Sequence, residues 1–104
     1  NALGDALART LGPQAVALMR GHGSVAVGSS IRQVVYRAIY TEMNARLQME
    51  AAQLGTINYL APEEARLAAA TIDGVLGRPW ELWKRKVALA RQRERAPAKS
   101  RSRK

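Results

Sequence analysis

Two short apolar runs, residues 15–19 (AVALM) and 24–27 (SVAV), flank the tetrapeptide Arg20-Gly21-His22-Gly23, and this arrangement constrains the chain most. Each run is far shorter than the roughly dozen residues an isolated helix needs, and glycines bracket the turn between them. They read as two strands. The first is nonpolar throughout, so it is expected to be fully buried, as a central or parallel-type strand is. A two-stranded ribbon is marginal in water by itself. The chain therefore predicts sheet neighbours beyond its own residues. Its start at Asn1 rather than Met fits the same expectation, a piece of a longer protein.

Everything else reads as helix. Residues 2–11 put Leu3, Ala6, Leu7 and Leu11 on one face, and Gly12-Pro13 ends that helix. Gly28-Ser29-Ser30 closes the second strand, with Ser30 as N-cap and Gln33 completing a capping box. A helix over about 31–54 follows. Ile31, Val35 and Met49 lie on one side and Tyr36, Tyr40, Met43, Leu47 and Leu54 on a neighbouring side, so burial against two bodies is expected. Gly55 suits its end. Pro62, with Glu63 and Glu64 in the first turn, opens a helix expected to run to about Leu76, where Gly77 stops it. Pro79 opens the last helix, whose Trp80, Trp83 and Val87 share a docking face. That stripe fades beyond Ala90. Residues 96–104 (APAKSRSRK) are expected to form a disordered basic tail on a domain portion spanning 1–95.

Composition excludes several functions. With no cysteine among 104 residues, disulfides, thiolate metal sites and cysteine nucleophiles are ruled out, and a reducing cytoplasm is the expected location. No apolar run approaches the roughly 20 residues of a membrane span, so no membrane partner is expected. The net charge of +9 is concentrated: residues 1–83 carry seven Arg against seven acids, whereas residues 84–104 carry ten Lys or Arg against Glu94 alone. A basic end on a neutral body reads first as a solvated extension, and nucleic acid is a disfavoured partner.

One histidine, His22, sits between Gly21 and Gly23 at the strand-to-strand turn. Glycine permits unusual backbone angles and close approach, so the imidazole could stand at an open edge as a metal ligand or general base, or bond to backbone as an ordinary turn residue. Asp5, Glu42 and Asp73 are the other ligand-type side chains considered, and none has ligand spacing to His22. Arg20 could meet a substrate carboxylate or pair with an acid. Glu42 suits an i,i+4 pair with Arg46. Tyr36 and Tyr40, one turn apart, suit packing, with a proton-donor role open to the phenols and Tyr40 the candidate among them. Tyr59 stands in a linker, within conceivable reach of a neighbouring subunit. Trp80 and Trp83 read as core or interface anchors.

Residues 16–55, VALMRGHGSVAVGSSIRQVVYRAIYTEMNARLQMEAAQLG, resemble the C-terminal third of class II aldolase/adducin domains. The likeness lies in the ordered run: buried strand, Arg-Gly-His-Gly, a strand ending in glycine, a capped helix, then Leu-Gly. The preceding LGDALARTLG and the following YLAPEEA extend it to about residues 3–90. The resemblance implies an α/β fold, here the C-terminal part of an α/β/α sandwich with two short strands and about four helices. It implies that His22 stands where the family places its third metal ligand, the others coming from an upstream His-x-His segment that is absent here. A divalent ion, zinc foremost, would then stabilise the enediolate formed when a carbon–carbon bond of a small hydroxy-carbonyl substrate breaks. YRAIYTEMNARLQ and PWELWKRKV look more like the decarboxylase-like branch acting on ring-derived hydroxy acids than like the aldolases. Homotetramers with sites between subunits are expected. Two other readings stand beside the lyase: a non-catalytic adducin-like interaction module, and a nucleic-acid-binding protein using its basic end.

Overall fold

The computed structural model describes residues 1–95; the segment 96–104, read above as a disordered tail, lies outside the described residues. The order is α1 (Ala2–Leu11), β1 (Val16–Met19), β2 (Gly23–Ala26), α2 (Ile31–Leu54), α3 (Pro62–Asp73) and α4 (Gly77–Arg95). This is a mixed helix-and-strand architecture with four helices and one two-stranded antiparallel sheet.

Each boundary has a local cause. The Asn1 side chain accepts from the Leu3 N–H at 3.0 Å and starts α1, and Gly12 ends it at φ 49°, a left-handed angle that favours glycine. The strands pair in register Val16↔Ala26, Ala17↔Val25, Leu18↔Ser24 and Met19↔Gly23. Ser30, in extended conformation, accepts from the Gln33 N–H at 3.2 Å and caps α2. The reciprocal half of the expected capping box is displaced: Gln33 Oε1 accepts from the N–H of Ser29, not Ser30, at 2.8 Å. Glu64 Oε2 accepts from the Ala61 N–H at 2.8 Å, so a glutamate reaching back to the backbone starts α3.

The α3–α4 junction departs from expectation. α3 stops at Asp73, and Gly77 begins α4 instead of ending α3. The peptide turns through Gly74–Leu76, tightened by a Val75 N–H to Ile72 carbonyl bond of 2.9 Å, and tucks Leu76 into the interior at 8% exposure. Pro79 lies in the third position of α4, where its missing N–H costs nothing because first-turn donors lack intrahelical acceptors.

Two expectations of burial fail. Among the described residues only Ala17 and Leu76 are buried, and Leu18 of the supposedly buried strand is 76% exposed. The cause is geometric: a two-stranded ribbon has two faces, and α1 and α2 do not cover both. Likewise α2 meets the two bodies expected of it, its own sheet and another helix, only along its first third, which packs on β2 and α4, whereas Met43, Leu47, Met49 and Leu54 are exposed. The radius of gyration, 19.3 Å, is well above the roughly 13 Å of a compact chain of this length.

A candidate metal-binding hinge

The hairpin turn is built from backbone chemistry. The His22 N–H donates to the Met19 carbonyl at 3.0 Å, closing the four-residue turn Met19-Arg20-Gly21-His22. Its third position, Gly21, has φ 76°, the angle a type II turn demands there and one that side chains resist. Gly23 follows at φ 115° and brings the chain back into pairing with Met19. The imidazole is thus exposed at the tip of a ribbon whose backbone is fixed on both sides.

His22 borders an open groove of about 490 Å³, lined also by Leu3, Ala6 and Leu7 of α1 and by Leu18 and Met19 of β1. The groove is mainly apolar. Among the described residues no three His, Asp or Glu side chains gather as a metal-binding group. Asp5 is not on its wall. Glu42 pairs with Arg46 at 2.9 Å, as its spacing predicts, and Asp73 accepts from Gln33 Nε2 at 2.9 Å. Arg20 is exposed beside His22 in the turn and joins no ion pair among the described residues.

Tyr40 is not brought to the groove. It stacks on Tyr36, with ring centroids 4.2 Å apart and planes at 18°, and Tyr36 meets Trp83 at 6.1 Å. Burial, helped by the adjacent Tyr40 hydroxyl, holds the Tyr36 phenol above its ordinary value, so it remains protonated. Trp80 and Trp83 are half-buried on this side, whereas Val87, expected to dock with them, is largely exposed. Tyr59 accepts from Gln48 Nε2 at 3.0 Å and so lies along α2.

A polar node lies at the other end of the ribbon from the turn. Gln33 bonds Ser29 and Asp73, and Arg37 donates to the Val27 carbonyl at 2.6 Å, so the exit of β2 is tied to α2 and to the end of α3. Beside it lies a concavity of about 730 Å³ bordered by Ser29, Arg32, Gln33, Asp73 and Trp80. Gln33 had a visible signal as a capping residue. Arg37 had none, because its acceptor is a backbone carbonyl ten residues away in sequence.

The sequence profile of the Class II Aldolase and Adducin N-terminal domain matches residues 1–49, which take in α1, the hairpin with His22 and most of α2. Decarboxylase tropJ of Talaromyces stipitatus (strain ATCC 10500 / CBS 375.48 / QM 6759 / NRRL 1006) is 39% identical over 85 residues, a match covering 71% of this chain and 32% of that protein. Both matches relate this chain to the class II aldolase and adducin family. The chain spans about a third of the length of the curated relative it matches.

Proposed function

We propose that this chain supplies part of a metal-dependent carbon–carbon lyase, with a decarboxylase acting on a hydroxy acid favoured over an aldolase. The observation that carries the reading is His22, exposed at a rigid glycine-framed turn beside a groove, within the very residues that match the family. The likeness to a decarboxylase supports the choice of reaction.

Class II aldolases are generally dependent on a divalent metal. A free imidazole at a fixed turn is a competent single donor, and a three-ligand set needs donors that are not among the described residues. His22 is the residue of this chain that would hold the ion, zinc foremost, and a bound ion would supply Lewis acidity toward adjacent substrate oxygens. Arg20, two positions earlier in the same turn, is suited to orient a substrate carboxylate, because its guanidinium stays charged and matches that group's two oxygens.

The α/β/α sandwich, a homotetramer and a cytoplasmic setting complete the proposal. The exposed Leu18 and the bare far half of α2 support the first two, since each leaves apolar surface for other parts of a sandwich or another subunit.

The test uses the purified gene product that carries these residues. His22→Ala is expected to lose most of the bound metal, read by elemental analysis, together with carbon dioxide release from hydroxy acids, while circular dichroism is unchanged. Full metal retention in a folded variant would remove His22 from the site and favour the non-catalytic adducin-like module.

A further inference from the structure

The outward face of α4 has a pattern the lyase reading does not use. At 3.6 residues per turn, Trp80, Trp83 and Val87 fall on one side, the side that meets Tyr36 of α2. On nearly the opposite side Leu82 and Leu89 stand in one line, two turns apart, 45% and 55% exposed. Arg78 and Arg85 border that line on one edge, and Lys86 and Arg93 on the other. All four cations are exposed, and among the described residues none is in an ion pair; the pairing on this helix is Lys84 with Glu81. The sequence adds four cations and no acid over residues 96–104.

We infer that α4 lies along an anionic lipid surface, with Leu82 and Leu89 entering the headgroup layer and the flanking cations meeting lipid phosphates and carboxylates. Three features favour this occupant. The leucine line has basic residues on both edges, whose long aliphatic stems can follow the leucines down while their charges stay in water. The charge extends along most of α4 and continues in the sequence, which suits an extended anionic plane better than a local acidic patch. The tryptophan face holds the rest of the protein on the side away from that plane. No described helix is long and apolar enough to cross a membrane, so the contact is peripheral. A nucleic-acid backbone would use the cations but leave the two leucines without a role.

The experiment mixes the 104-residue chain with vesicles of phosphatidylcholine containing about one-third phosphatidylserine, with vesicles of phosphatidylcholine alone, and with a single-stranded RNA. Flotation is expected to recover the chain with the anionic vesicles only. Leu82→Ser with Leu89→Ser, which keeps every charge, should lower that partitioning by on the order of tenfold, since apolar insertion adds to the electrostatic attraction. Far-ultraviolet circular dichroism should show helix content unchanged. Arg85→Gln with Arg93→Gln should also weaken partitioning and make its salt dependence shallower. No recovery with anionic vesicles overturns the inference. So does binding that the serine variant leaves intact while RNA competes it away, which would make the face a general polyanion site.

Discussion

The two ends of α2 live in different surroundings. Residues 33–37, with Tyr40, are half-buried, tied to β2 through Arg37 and to α3 through Gln33. From Glu42 to Glu50 every residue is exposed, although Met43, Leu47 and Met49 are as apolar as anything in the first half. The contrast teaches that apolar periodicity reports how much surface a helix needs covered, and says nothing of where the cover comes from. One half finds it within this chain; the other presents it to something else.

Substitutions can break or sharpen that contrast. The largest effect is expected at Trp83, whose ring meets Tyr36: Trp83→Ala should cost about 2 kcal/mol in urea denaturation, below a fully buried tryptophan because the ring is only half-buried. Leu47→Ala, on the exposed half, should cost under about 0.5 kcal/mol in this chain. A cost at Leu47 equal to that at Trp83 would show that the far half is covered in solution, by self-association for instance.

Next comes Gly28. A Cβ there would lie 2.7 Å from Gln33 Oε1 and 3.2 Å from Val34 Cγ2, so Gly28→Ala should displace the Gln33 amide and cost about 1 kcal/mol. Gly4→Ala, in α1 with no atom within 4 Å of the new methyl, should instead stabilise by about 0.5 kcal/mol. Thermal melts of the pair would show opposite shifts.

Two smaller effects depend on pH. The Tyr36 phenol is raised in the folded chain, so its contribution is complete below the ordinary phenol value of 10.0 and is lost as pH climbs through the higher folded value. Alkaline melts should therefore decline, and Tyr36→Phe should flatten that decline. On exposed α3, Arg66 holds the Glu63 carboxyl below its ordinary 4.5, with Arg66 Nε donating at 2.9 Å. Its contribution is present above 4.5 and fades as pH falls through the lower folded value, and Glu63→Gln should remove that slope. As the pair is fully solvated, this is the smallest effect of the set.

Much of the local structure was legible. The ends of α2 could be read from its caps: Ser30 at its start and Gly55 after its end bound it at the residues observed. The hairpin, too, could be read from Gly21 and Gly23, whose backbone angles confirm why glycine stands there. Burial was not legible. Leu18 and Leu47 have core composition, yet among the described residues nothing packs over them, and sidedness of that kind is set by tertiary packing and not by composition. The junction at Gly74–Gly77 misled because two glycines and a proline lie within six residues, and only packing of Leu76 decides which glycine ends a helix. At the candidate site the lone histidine between glycines was visible. The Arg37 and Gln33 ties at the far end of the ribbon were not, because they join residues whose closeness is a product of folding.

The antiparallel ribbon has a consequence for handling this chain. Each strand gives one edge to its sister, and the remaining outward edge of β1 carries backbone donors and acceptors with no strand beside them among the described residues. Such a border is a template for adding another strand, and Leu18 next to it offers a sticky flank. Concentrated solutions of these residues alone should thus drift toward intermolecular sheet, seen as growing infrared absorption of extended backbone, and a lysine in place of Leu18 should slow that drift.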